Sequence, residues 1–106
     1  MSDLPKPPQA YEDFIRQFPL LEEAWRKIHD AGKEGPLSVE NARLVKLGIA
    51  VGAMREGAIR SSVRKAKAMG IDNATILQVV ALSAGTLGLP SVVAVHSWLR
   101  ELLGDG

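Results

Sequence analysis

The chain contains no cysteine. That excludes disulfides, thiolate nucleophiles and cysteine-ligated zinc at once. It fits a reducing compartment without defining one. Aromatic residues make up only 5% of the 106 residues, and there are only two histidines. Interleaved aromatics of the kind that stack on nucleic-acid bases are missing, and two separate histidines with scattered acids show no metal-ligand spacing. Excess charge of one sign is also missing: the formal net charge is +1. No global field then draws the protein to nucleic acid or to an anionic membrane. The basic cluster Arg60, Arg64, Lys65 and Lys67 reads as a solvated helix face. No apolar run approaches the ~20 residues of a membrane span. The opening MSDLPKPPQ has no apolar core of the kind a signal peptide needs. The expected setting is the cytoplasm, with neither nucleic acid nor membrane as partner and no cofactor.

What is present is ordinary for a globular protein: 46% hydrophobic and 24% charged residues. The length suits one domain with one modest core. Residues 1–9 are proline-rich and read as a flexible arm, leaving 10–106 as the folded domain. Helical periodicity then dominates. Tyr11, Phe14, Ile15 and Phe18 mark a short first helix. Pro19 opens a second, where Leu21, Ala24, Trp25 and Ile28 share a face. Gly32 and Gly35–Pro36 close it. Ser38 caps a third helix from Val39 to about Met54. Its half from Leu47 to Met54 is apolar all round and is expected to be buried on every side. Gly48 and Gly52 there would let another helix approach closely.

A fourth helix runs from Glu56 to Met69, ended by Gly70. A fifth, capped by Asp72, is expected to run from Asn73 to Leu87. Gly88–Leu89–Pro90 breaks the chain, and a sixth helix runs from about Ser91 to Leu103. The fold class is therefore all-α, with about six helices and no strand. Two largely apolar helices exceed what four short amphipathic ones can cover. The surplus is expected to close against further copies of the chain, as a homo-oligomer.

The segment REGAIRSSVRKAKAMG, Arg55 to Gly70, holds the candidate chemistry. Positions 55, 58, 62 and 66 share a helix face, so Ser62 points toward the apolar side. Glu56 is a candidate acid/base, or simply a helix-start carboxylate paired with Arg60. Ser62 could line a pocket, or bond the carbonyl one turn back. His96, between Val92 and Leu99, could face the same cavity or be a core histidine. Arg55 and Arg60 could hold a carboxylate, or be solvated. His29 reads as a surface residue, and Trp25 and Trp98 as packing residues.

These segments, with IDNATILQVVALSAGTLGLP and a last helix carrying His and Trp, resemble the carboxymuconolactone decarboxylase and alkyl hydroperoxidase D superfamily. The resemblance covers roughly Leu20 to Leu103. It implies an AhpD-like helical fold and a trimer or hexamer. The redox members carry CxxC followed after three residues by His. Those positions are Arg55, Ala58 and Ser62 here, so thiol peroxidase chemistry is not expected. The decarboxylase-like members keep the helix His, which is Ser62 here. Ala74–Thr75 also stand where the family often has two Glu. What remains implied is a lyase-like protein acting on or binding a small carboxylated or lactone-like substrate. Glu56, Ser62 and His96 would then be catalytic, and Arg55 and Arg60 would bind substrate. The alternative is a non-catalytic oligomeric scaffold or partner-binding member of the same fold.

Overall fold

The computed structural model describes residues 9–104, so the expected arm at 1–8 lies outside the described residues. Gln9, assigned to that arm, instead opens the first helix. Among the described residues every element is helical: α1 (Gln9–Gln17), α2 (Pro19–Ala31), α3 (Val39–Gly52), α4 (Glu56–Ala68), α5 (Asn73–Leu82), the single turn α6 (Ala84–Leu87) and α7 (Leu89–Leu103). The described residues divide into two compact units, one up to Pro36 and one from Leu37 onward.

In the first unit α1 and α2 form a hairpin, with the rings of Phe14 and Phe18 5.0 Å apart. Pro19 opens α2, and the backbone N–H of Gly32 closes it on Ile28. The two helices bury no residue against each other.

The second unit holds the core. Ser38 caps α3 by accepting the Asn41 N–H at 3.0 Å, and Asp72 caps α5 by accepting the Thr75 N–H at 2.8 Å. Both satisfy donors that a helix start leaves unpaired. α3 and α4 both end in the same kind of closure, in which two N–H groups beyond the helix turn back onto its last carbonyls. After α4, Gly70 takes φ +87 and the Ile71 N–H reaches the Ala66 carbonyl. After α3, Met54 occupies the corresponding left-handed position, φ +55, and the Arg55 N–H reaches the Ala50 carbonyl. A non-glycine residue there is strained by roughly 1–2 kcal/mol. Met54 stays because its side chain packs on the core.

Leu47 and Val51 of α3, Ile59, Val63 and Ala66 of α4, Ile76 and Val80 of α5, and Val92, Val95, Leu99 and Leu103 of α7 form that core. The polar end of α7 is tied down over long range. Asn73 Nδ2 donates to the Leu103 carbonyl at 2.8 Å, and Lys67 Nζ donates to the Leu102 carbonyl.

Two expectations need correction. The fifth helix does not run to Leu87. At Ser83 the backbone tightens, its N–H turning back to the Val80 carbonyl three residues earlier, and its hydroxyl takes the same carbonyl at 2.6 Å. The chain ends α5 there and makes one further turn before Gly88. Nor is the second half of α3 buried on every side. Leu47 and Val51 are fully enclosed, but Ile49 is 66% exposed. Apolar composition alone cannot enclose a helix; that takes neighbours on every side. The Gly88 break is as expected: φ 88 and ψ 153 belong to a region only glycine occupies comfortably.

Candidate functional site

A part-buried polar contact joins α3 to α4. Leu47 and Val51 lie on the inner stripe of α3, and Arg43 stands one turn before Leu47 on that stripe. On α4 the inner stripe is Ile59, Ser62, Val63 and Ala66, with Ser62 the one buried polar residue. Arg43 Nη1 donates to Ser62 Oγ at 3.4 Å, a long bond. Ser62 thus faces inward as expected and finds an arginine there. The Arg43 Nε–H is itself buried and has no acceptor among the described residues. Leaving such a donor unpaired costs about 1–3 kcal/mol.

Lys65 lies one turn beyond Ser62. Partial desolvation of this largely exposed side chain holds its ammonium below the usual lysine range, and repulsion from Arg43 and then Lys46 adds to the effect. In the sign of the linkage, the folded chain disfavours the charged form. The resulting destabilisation is fully present below the lowered folded pKa. Stability rises as pH climbs from there toward the ordinary value of 10.5. Lys65→Gln is therefore expected to raise the melting temperature at pH 7. The advantage over wild type should shrink above the folded pKa, as read from melting curves across pH. An unchanged melting temperature at pH 7 would show that the cations do not strain the fold.

The other candidate residues do not join this contact. Glu56 begins α4 and accepts from Arg60 Nε at 2.9 Å, in a half-exposed i,i+4 pair. Six residues separate Glu56 from Ser62, about 9 Å along the helix axis. Glu56 and Arg60 thus make the helix-start pair that was one of the two readings, a pair worth about 0.3–0.5 kcal/mol. Arg55 and Ala58 are exposed at the same helix start, and Arg55 makes no side-chain cap.

His96 is exposed. The buried stripe of α7 runs through Val92, Val95, Leu99 and Leu103, and His96 lies one residue, about 100°, round the helix from Val95. It lines a polar groove with Ser97, Arg100 and Glu101, and that groove contains neither Glu56 nor Ser62. The structure therefore does not bring Glu56, Ser62 and His96 together. Arg43 is the site residue that sequence reasoning missed. Its signal was a charged residue in register with the core positions 47 and 51.

A different concavity lies between α3 and α5–α6. Gly48 and Gly52 form part of its lining with Leu44, Val79 and Ser83, and its volume is about 610 Å³. A Cβ on Gly48 would meet Val79 Cγ1 at 3.8 Å, while one on Gly52 would meet open space. So Gly48 receives α5 within the chain, and Gly52 leaves room for something more. Val45 and Leu82, also part of the lining, are 50% and 72% exposed.

Among the described residues no cluster of three or more histidine, aspartate or glutamate side chains could hold a metal ion. No helix there is long and apolar enough to cross a membrane. The chain matches no protein-family model, no curated protein and no solved structure.

Proposed function

We propose that this chain is a non-catalytic, self-associating scaffold, built on a carboxymuconolactone decarboxylase-like helical fold and working in the cytoplasm. The observation that carries this reading is the open apolar face of α3 and α5, where Val45, Ile49 and Leu82 stand out beside the glycine-floored groove. A ridge and a groove on one surface are self-complementary. Two copies related by a two-fold axis can each place the ridge in the other's groove. The fold assignment rests on the helix order, the Gly70 and Gly88 breaks, and the Arg55–Gly70 segment.

The competing reading is a lyase-like enzyme acting on a small carboxylate. It needs Glu56, Ser62 and His96 in one pocket, with Arg55 or Arg60 holding the anion. Glu56 and Arg60 are instead occupied with each other, and His96 stands in a separate groove. Arg55 and Ala58 cannot supply a thiolate, so peroxidase chemistry is outside the proposal.

The absence of native cysteine makes the test clean. A single Ile49→Cys thiol in the full chain is expected to react slowly with a maleimide at high protein concentration and to speed up on dilution. Ala58→Cys, exposed at the start of α4, should react quickly at every concentration. Equal rates for the two thiols at all concentrations would remove the proposed interface.

A further inference from the structure

Charge is unevenly divided along the chain. Residues 1–36 hold seven acidic and five basic side chains; residues 37–106 hold eight basic and five acidic ones. In the second unit two of the acids are already engaged: Glu56 with Arg60, and Asp72 with the start of α5. Arg43 and Lys46 on α3, and Lys65 on α4, have no carboxylate within ion-pair distance among the described residues. Glu40, one turn before Arg43, makes no such pair either.

Lys46 follows Arg43 by one turn on α3, and Lys65 follows Ser62, the partner of Arg43, by one turn on α4; repulsion from both α3 cations helps hold the Lys65 ammonium below its usual range. Like charges gathered without a counter-ion repel one another, and an anion placed among them would relieve that repulsion. Directional groups are also present. Arg43 keeps a buried Nε–H without an acceptor, and its Nη1 makes only the long bond to Ser62 Oγ. Ser62 Oγ accepts from Arg43, which leaves its own O–H proton to donate. A guanidinium, two ammonium groups and a hydroxyl together suit a planar or tetrahedral oxyanion, which accepts several directed bonds, better than a halide.

We propose that the α3–α4 hairpin binds a small oxyanion, a phosphate or a carboxylate group, between Arg43, Lys46, Ser62 and Lys65. The site differs from the anion holders expected from sequence, Arg55 and Arg60, which stand at the helix start. It does not depend on self-association, because all four side chains belong to one hairpin of one chain.

The test is thermal unfolding of the full chain with inorganic phosphate or with acetate, the ionic strength held constant with sodium chloride. A saturable rise in melting temperature above the chloride control is expected for at least one of the two. Phosphate alone, acetate alone or both would each support the site and identify its preferred group. Arg43→Gln should weaken the fitted affinity by about tenfold or more, the scale of a lost charge-assisted bond. Should Arg43→Gln fail to fold, the double variant Lys46→Gln, Lys65→Gln carries the same test, since both lysines are exposed. Arg100→Gln, on α7, should keep the wild-type affinity. No saturable response to either anion would overturn the proposal. Wild-type affinity in Arg43→Gln or in the lysine double variant would also overturn it.

Discussion

Ile59→Ala is expected to cost about 2–5 kcal/mol of folding stability, the range for truncating a large, fully enclosed aliphatic side chain. Ile59 is fully buried in the core formed by α3, α4, α5 and α7. Its loss removes transfer free energy and leaves a cavity that the packed helices can only partly close. α4 is held at its end by the Gly70 turn, and α7 by the bonds from Lys67 and Asn73. For a unit of 70 residues the whole stability is about 3.5–10 kcal/mol by ordinary per-residue values. One truncation therefore removes a large part of it. Urea unfolding checks this through a midpoint that falls while the slope stays constant. A loss well under 1 kcal/mol would mean that α4 is not enclosed as described.

Ile49→Lys is expected to leave the fold intact and to abolish self-association. Ile49 is two-thirds exposed in the single chain, so a lysine there is solvated and disturbs no core contact. In a two-fold contact the same residue is buried twice. Fully burying such a side chain is worth about 1.5–3 kcal/mol, so covering its exposed two-thirds in both copies contributes roughly 2–4 kcal/mol. Its loss weakens association by about 30- to 10³-fold, before any repulsion between the two ammonium groups. Size-exclusion chromatography with light scattering reads the mass, and circular dichroism checks that the helices remain. A variant with the same mass as an oligomeric wild type would place the interface elsewhere.

Much of the fold was legible in the sequence because local chemistry marks it. Ser38 and Asp72 are good caps, Gly70 takes the left-handed turn, and the Gly88–Pro90 break needs a conformation only glycine tolerates. The end of α5 was not legible, since Leu82 to Leu87 keeps an apolar, helix-compatible composition. At that end the backbone tightens, the Ser83 N–H turning back to the Val80 carbonyl three residues earlier, and no residue type there announces it. Met54 was also hidden: nothing in the residue type announces a positive φ, which follows from its packing on the core.

The candidate site was less legible. Ser62 was placed correctly from helix periodicity alone. His96 was placed on the apolar side because it falls between Val92 and Leu99, yet the stripe turns through Val95 and leaves it outside. Glu56 and Arg60 were four apart, so their pairing was one of two readings from the start. The role of Arg43 is not legible from α4 alone. A contact between helices is a property of two segments, and here the second partner lay 19 residues earlier.

Sedimentation equilibrium of the unmodified full chain across the micromolar range tests the central claim of self-association most directly. The open α3–α5 face predicts a mass that is a whole multiple of 11.4 kDa, falling toward the single-chain value on dilution if assembly is weak. A constant 11.4 kDa at every concentration would contradict it.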